Sequence, residues 1–177
     1  MNTSLNKTAL VFLALIALGA LSRFTGLGPN FAAVAAAALF AGFYFRSRVV
    51  AAGVPLAAML ISDLFIGGYT FAVMLAVYAC MVLPVFFRSA IGARPTAARV
   101  LGLSLACSVT FFLVTNFAVW ASQTIYPHTT AGLLECYAAA LPFFRFTLAG
   151  DIAFAAALFG GWAMLARRAP LARVATA

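Results

Sequence analysis

The chain has 177 residues, 66% of them hydrophobic and 8% charged, with a formal net charge of +8. No soluble domain of this size hides so much apolar surface, so the reading is an all-α integral membrane protein in a single transmembrane domain, residues 1–177. No polar stretch is long enough for a soluble ATPase or regulatory domain. The basic residues lie between apolar segments and not in an aromatic-laced patch, which argues against a nucleic-acid partner.

Met1 to Lys7 is a short polar start, and Thr8 to Leu21 is the first apolar run. Lys7 before it and small residues after it also fit a signal peptide. The charge pattern below needs it as a span. Arg23 and the run TGLGPN form a Gly/Pro-rich turn. Asn30 is placed to cap the second helix, Phe31 to Phe45, whose alanines permit close helix approach. Arg46 and Arg48 end it. Val49 to Ile66 is the third span, with Asp63 near its far end and Gly67-Gly68 as the turn.

The fourth span, Tyr69 to Phe87, carries no charge and is long enough to cross a bilayer. Cys80 lies roughly 16 Å along it, near the centre of a hydrocarbon slab about 30 Å thick. Tyr69, Val73, Ala76, Pro84 and Phe87 share the Cys80 face. Pro84 lacks an N–H and frees the Cys80 carbonyl, so a kink is expected just past the thiol. A cysteine in an apolar helix is usually a small hydrophobic filler.

Arg88, Arg94 and Arg99 follow in a loop. Val100 to Ala121 is the fifth span, with Asn116 and Trp120 on one face. Ser122 to Arg145 reads as the longest connection, with a semi-apolar piece from Gly132 to Leu141. Phe146 to Ala166 is the sixth span, with Asp151 near its start, and Arg167, Arg168 and Arg173 follow.

With six transmembrane helices drawn, Lys7, Arg46, Arg48, Arg88, Arg94, Arg99, Arg167, Arg168 and Arg173 share one side. Only Arg23 and Arg145 fall on the other. The positive-inside bias then puts both termini in the cytoplasm. The acidic residues all fall on the outer half, together with Asn116, Trp120, Tyr69 and Arg145. Intramembrane ionisable residues suggest a site. The plainer account is that Asp63 and Asp151 pair with Arg23 or Arg145 to hold helices together. An outward-facing pocket lined by Asp63, Tyr69, Asn116, Trp120, Arg145 and Asp151 is the expectation.

The Gly/Pro-rich first outer loop, the alanine-rich second helix and the long fifth loop resemble the S-components of energy-coupling-factor vitamin transporters. The runs GPNFAAVAAAALFAG, PLAAMLISDLFIGGY and LPFFRFTLAGDIAFAAALFG look like one group among them. That group is the BtuM family of solitary vitamin B12 (cobalamin) transporters in the inner membrane of Gram-negative bacteria. The resemblance covers nearly the whole chain. It implies that Cys80 is the axial ligand of the corrin cobalt, both metal-binding and the centre of a decyanation of cyanocobalamin. S-components that dock on the shared ATPase module carry A-x-x-x-A in the first helix. Here Ala9, Ala14, Ala17 and Ala20 include no two that are four apart, which fits a protein working in the lipid bilayer without that module.

The chemistry agrees with that implication. Cobalt in a corrin has four equatorial nitrogens and two axial positions, and a thiolate is a soft, strongly donating axial ligand. It displaces the nucleotide base, giving the base-off form, and coordination releases the thiol proton. His128 lies in a loop, Cys107 on the inner half of the fifth span, and Cys136 in the outer loop. Two other readings compete. One is an S-component for another vitamin, with an ATPase module and Cys80 as filler. The other is a structural membrane protein without a pocket.

Overall fold

The computed structural model describes residues 2–174, and within them no strand occurs. Met1 and residues 175–177 lie outside the described residues, as do the side chains of Arg168 and Arg173, counted above among the inner charges. The helices are α1 (Asn2–Ser22), α2 (Val34–Tyr44), α3 (Arg48–Ile66), α4 (Phe71–Val82), α5 (Arg88–Ile91), α6 (Ala97–Ser122) and α7 (Thr130–Val174). A 3-10 turn, Leu83–Phe87, joins α4 to α5, so Phe71–Ile91 is one nearly continuous rod.

Among the described residues, four rods are long and apolar enough to cross a membrane: Arg48–Ile66, Phe71–Ile91, Ala97–Ser122 and Thr130–Arg167. They mark the chain as a membrane protein. Two shorter apolar helices, Asn6–Ser22 and Val34–Tyr44, accompany them.

Helix α2 is the axis of the bundle. Every residue from Val34 to Gly42 is buried. It packs against α1, α3, α7 and the 3-10 turn. Its alanines let these neighbours approach closely, as helices in lipid favour. At Gly42 the approach is to the backbone itself: a Cβ there would come within 2.8 Å of the Val85 Cα. Aromatic rings close the same end. Phe40, Phe43 and Tyr44 each lie within 6.3 Å of the Trp162 ring.

Local signals explain the helix boundaries. The Ser47 and Thr96 hydroxyls accept from Val50 N–H and Arg99 N–H and so cap α3 and α6. Gly67 ends α3 at φ 95°, a left-handed geometry that suits glycine. Pro84 tightens the rod into the 3-10 turn just past Cys80, where a kink was expected.

Three boundaries differ from the sequence expectation. Helix α1 begins at Asn2 rather than at Thr8. Helix α2 begins at Val34, and Asn30 does not cap it; Asn30 takes a left-handed φ of 62° in the preceding loop. The Ala33 N–H is instead held by Ser22 Oγ at 2.8 Å. The third difference is the largest. Only residues 123–129 connect α6 to α7, because Thr129 Oγ1 accepts from Gly132 N–H and starts the helix there. Pro142 removes a single backbone donor and α7 runs on through it, as membrane helices tolerate.

Helices α6 and α7 therefore form a long antiparallel hairpin. The Phe112 and Phe144 rings meet at a tilt, Tyr137 Oη donates to Leu113 O at 2.9 Å, and Ser108 meets Asp151. At about 1.5 Å per residue, α7 is roughly 68 Å long, more than twice a bilayer core of about 30 Å.

Candidate functional site

A cavity of about 330 Å³ lies beneath the loop joining α1 to α2. Arg23, Gly28, Asn30 and Phe31 form its roof, Tyr69 and Met81 one side, and Asp151 its base. The roof is held down tightly: a Cβ on Gly150 of α7 would come within 3.1 Å of Ala32 N. A second cavity of about 230 Å³ adjoins it and shares Asn30, Tyr69, Val77, Phe111 and Thr147. Asn116 and Thr115 line this second chamber from α6. Each chamber is mostly apolar with a few polar groups, the usual makeup of a small-molecule site.

Beside the roof stands a polar cluster. Arg23 pairs with Asp63 at 2.6 Å. Its guanidinium also donates to Ser62 Oγ and, at 2.8 Å, to Tyr69 Oη. Asp63 accepts in addition from Tyr69 Oη at 3.0 Å and Tyr78 Oη at 2.8 Å. Both carboxylate oxygens are thus engaged. Tyr69 sits between α3 and α4, and burial pushes its phenol above the ordinary value of 10.0, with the Arg23 charge opposing the rise.

Helix α4 presents Val73, Val77 and Met81 to the two chambers, and Tyr69 joins them from the segment just before it. At about 100° per residue, Cys80 points about 20° from Val73, about 60° from Val77 and about 100° from Met81, its neighbour along the helix. The thiol is only 7% exposed and does not itself line either chamber. Cys107 of α6 neighbours both Cys80 and Asp151. The three cysteines are free and buried.

The expected site residues divide into three groups. Tyr69 and Asp151 line the first chamber, and Tyr69 and Asn116 the second. Asp63 and Cys80 stand one layer behind the wall. Trp120 and Arg145 are elsewhere. Trp120 Nε1 donates to Pro127 O and ties down the α6–α7 connection, while Arg145 is exposed and lies over the Phe146 ring at 4.7 Å. Asn116 gives one of its two amide N–H donors to Phe112 O, at 2.7 Å.

Sequence reasoning missed Arg23, Asn30, Phe111 and Thr147 as lining residues. Arg23 carried a signal, being one of only two basic residues on the charge-poor side. Thr147 and Phe111 carried none, since a threonine or phenylalanine in an apolar helix is ordinary. No group of three or more His, Cys, Asp or Glu able to hold a bare metal ion occurs among the described residues.

The sequence matches a family of unknown function, DUF6580, over residues 3–172. No curated protein matches it, and no solved structure does.

Proposed function

We propose that this chain, which belongs to the DUF6580 family, binds cobalamin in the chambers beneath the α1–α2 loop and carries it across the bacterial inner membrane. In this reading the Cys80 thiolate is the axial cobalt ligand. The observation that supports it is the register of α4: Cys80 lies about 20° in direction from Val73, which lines the second chamber, and next to Met81, which lines the first. A corrin brings four nitrogens of its own, so one protein donor is enough, and no cluster of ligands is required.

The thiol loses its proton as its sulfur bonds to cobalt. The nucleotide base is displaced from that face. On cyanocobalamin, cyanide then leaves the opposite face with its bonding pair, so no electron donor is consumed. Cobalamin is larger than the two chambers together, so its entry requires the loop from Arg23 to Ala33 to lift from α7. Arg23 and Asn30 then meet the amides and phosphate of the ligand.

Six spans with both termini in the cytoplasm fit this reading. Helix α2, at roughly 16 Å, is too short to cross alone and is completed by the loop above it. The arginines of residues 46–48 and 88–99 lie at one end, and Arg23 at the other. Work without an ATPase module accords with the alanine spacing in α1.

A second reading is favoured by the volume of the chambers and by the position of the thiol behind their wall. In it the chain is an S-component for a smaller vitamin that works with an ATPase module. The ultraviolet–visible spectrum of the purified protein, with and without added cobalamin, separates the two. A shifted, thiolate-type corrin spectrum supports the first. An unchanged free-cobalamin spectrum, with an ATPase co-purifying, supports the second.

A further inference from the structure

We propose that Asp151 is a proton-binding site in the membrane interior: its carboxyl is neutral in this conformation and ionises when water or a ligand's hydrogen-bond donors fill the cavity. The side chain forms the base of the first chamber and is only 5% exposed. Among the described residues the ion pair formed is Arg23–Asp63, so no cation is paired with Asp151. An unpaired carboxylate in an apolar interior is disfavoured by lost hydration, and taking up a proton relieves that penalty.

The neighbouring hydroxyl accommodates both protonation states. Ser108 Oγ lies 2.6 Å from Asp151 Oδ2 and 3.0 Å from Ser104 O. A hydroxyl has one proton to donate. With Asp151 protonated, the acid donates to Ser108, Ser108 donates to Ser104 O, and each group has a partner. With Asp151 ionised, Ser108 must turn its proton to the carboxylate and release Ser104 O. The Ser108 hydroxyl therefore rotates with the charge on Asp151.

The groups facing Asp151 do not supply a positive charge. From α6 and α4 come two thiols, Cys107 and beyond it Cys80. The α1–α2 loop packs on the adjacent Gly150 through Phe31 and Ala32, which do not titrate. Arg23 and Tyr69 line the same chamber but are engaged with Asp63. In the balance, the carboxylic acid O–H breaks, its proton passes to water entering the cavity, and the carboxylate remains.

The test is infrared spectroscopy of the purified, ligand-free protein over a pH series. The carbonyl band of a protonated carboxylic acid is expected near neutral pH and should fade on the alkaline side. Asp151→Asn should abolish it, Asp151→Glu should move it, and Asp63→Asn should leave it in place. Absence of the band from folded wild-type protein overturns the inference, as does its survival in Asp151→Asn. The measurement uses no cobalamin, so failure of the cobalamin reading and failure of this one are seen separately.

Discussion

Arg23 and Asp63 meet at 2.6 Å and join the end of α1 to the end of α3 across 40 residues of sequence. Each side chain is 13% exposed, so the pair is largely withdrawn from solvent. Asp63→Ala leaves the Arg23 charge and two tyrosine hydroxyls without their acceptor. The expected cost is about 3 kcal/mol, read as a lowered thermal midpoint in detergent. Tyr69→Phe removes one phenol from the same cluster and should cost about 1 kcal/mol.

The Tyr69 phenol also predicts a direction with pH. Its value is raised in the folded state, so the fold favours the protonated form. The contribution is present below the ordinary tyrosine value of 10.0 and is lost as pH rises through the folded value. Stability should therefore fall on the alkaline side, and less steeply in Tyr69→Phe. Identical alkaline slopes for the two proteins would count against this.

Two glycines should behave oppositely. Gly42 faces the Val85 backbone, which cannot swing aside as a side chain would. Gly42→Ala should push α2 from the 3-10 turn at a cost of about 1–3 kcal/mol. A Cβ on Gly161 of α7 meets no atom within 4 Å. Gly161→Ala should be neutral or stabilising by up to about 1 kcal/mol, through helix propensity alone. Thermal unfolding of the two variants side by side checks this.

Arg94 precedes α6 and His128 follows it, so the two positions stand at opposite ends of a helix of 26 residues. Single cysteines placed there in a cysteine-free background should label from opposite faces of inverted and right-side-out vesicles. Labelling from one face would overturn the six-span topology proposed above.

Cys80→Ser tests the proposed ligand chemistry most directly. Serine preserves the size, and its hydroxyl can bond a carbonyl one turn back, so the variant should fold. Its hydroxyl stays protonated and is a poor ligand for cobalt. Mixed with cyanocobalamin, it should give no thiolate-type spectrum and release no cyanide over hours, while Cys107→Ser and Cys136→Ser match wild type. A wild-type spectrum and rate from Cys80→Ser would return that residue to being filler.

Much of the fold was legible because membrane helices are written as apolar length. The runs ending at Ile66 and beginning at Val100 stand out by composition, and the structure has helices there. Pro84 was legible too, since a missing N–H alters a helix wherever it occurs. Pro142 obeys the same rule with a milder outcome: it lies among leucine, alanine and phenylalanine that keep the helix intact, and packing on α6 supports both halves. Asn30 has a side chain suited to capping, but Ser22 Oγ holds the Ala33 N–H instead.

The sequence by itself determined that this chain is helical, apolar and asymmetric in charge, because those are sums over residues and need no contacts. It also determined the direction of Cys80 relative to Val73, since that follows from helix geometry within one segment. Only the tertiary structure decided that Asp63 belongs to Arg23, that Asp151 meets Ser108, and that Trp120 and Arg145 stand away from the chambers. Those outcomes depend on how helices rotate against one another about α2. A rotation of one helix by a fraction of a turn changes which side chains share a cavity without changing a single residue's hydropathy.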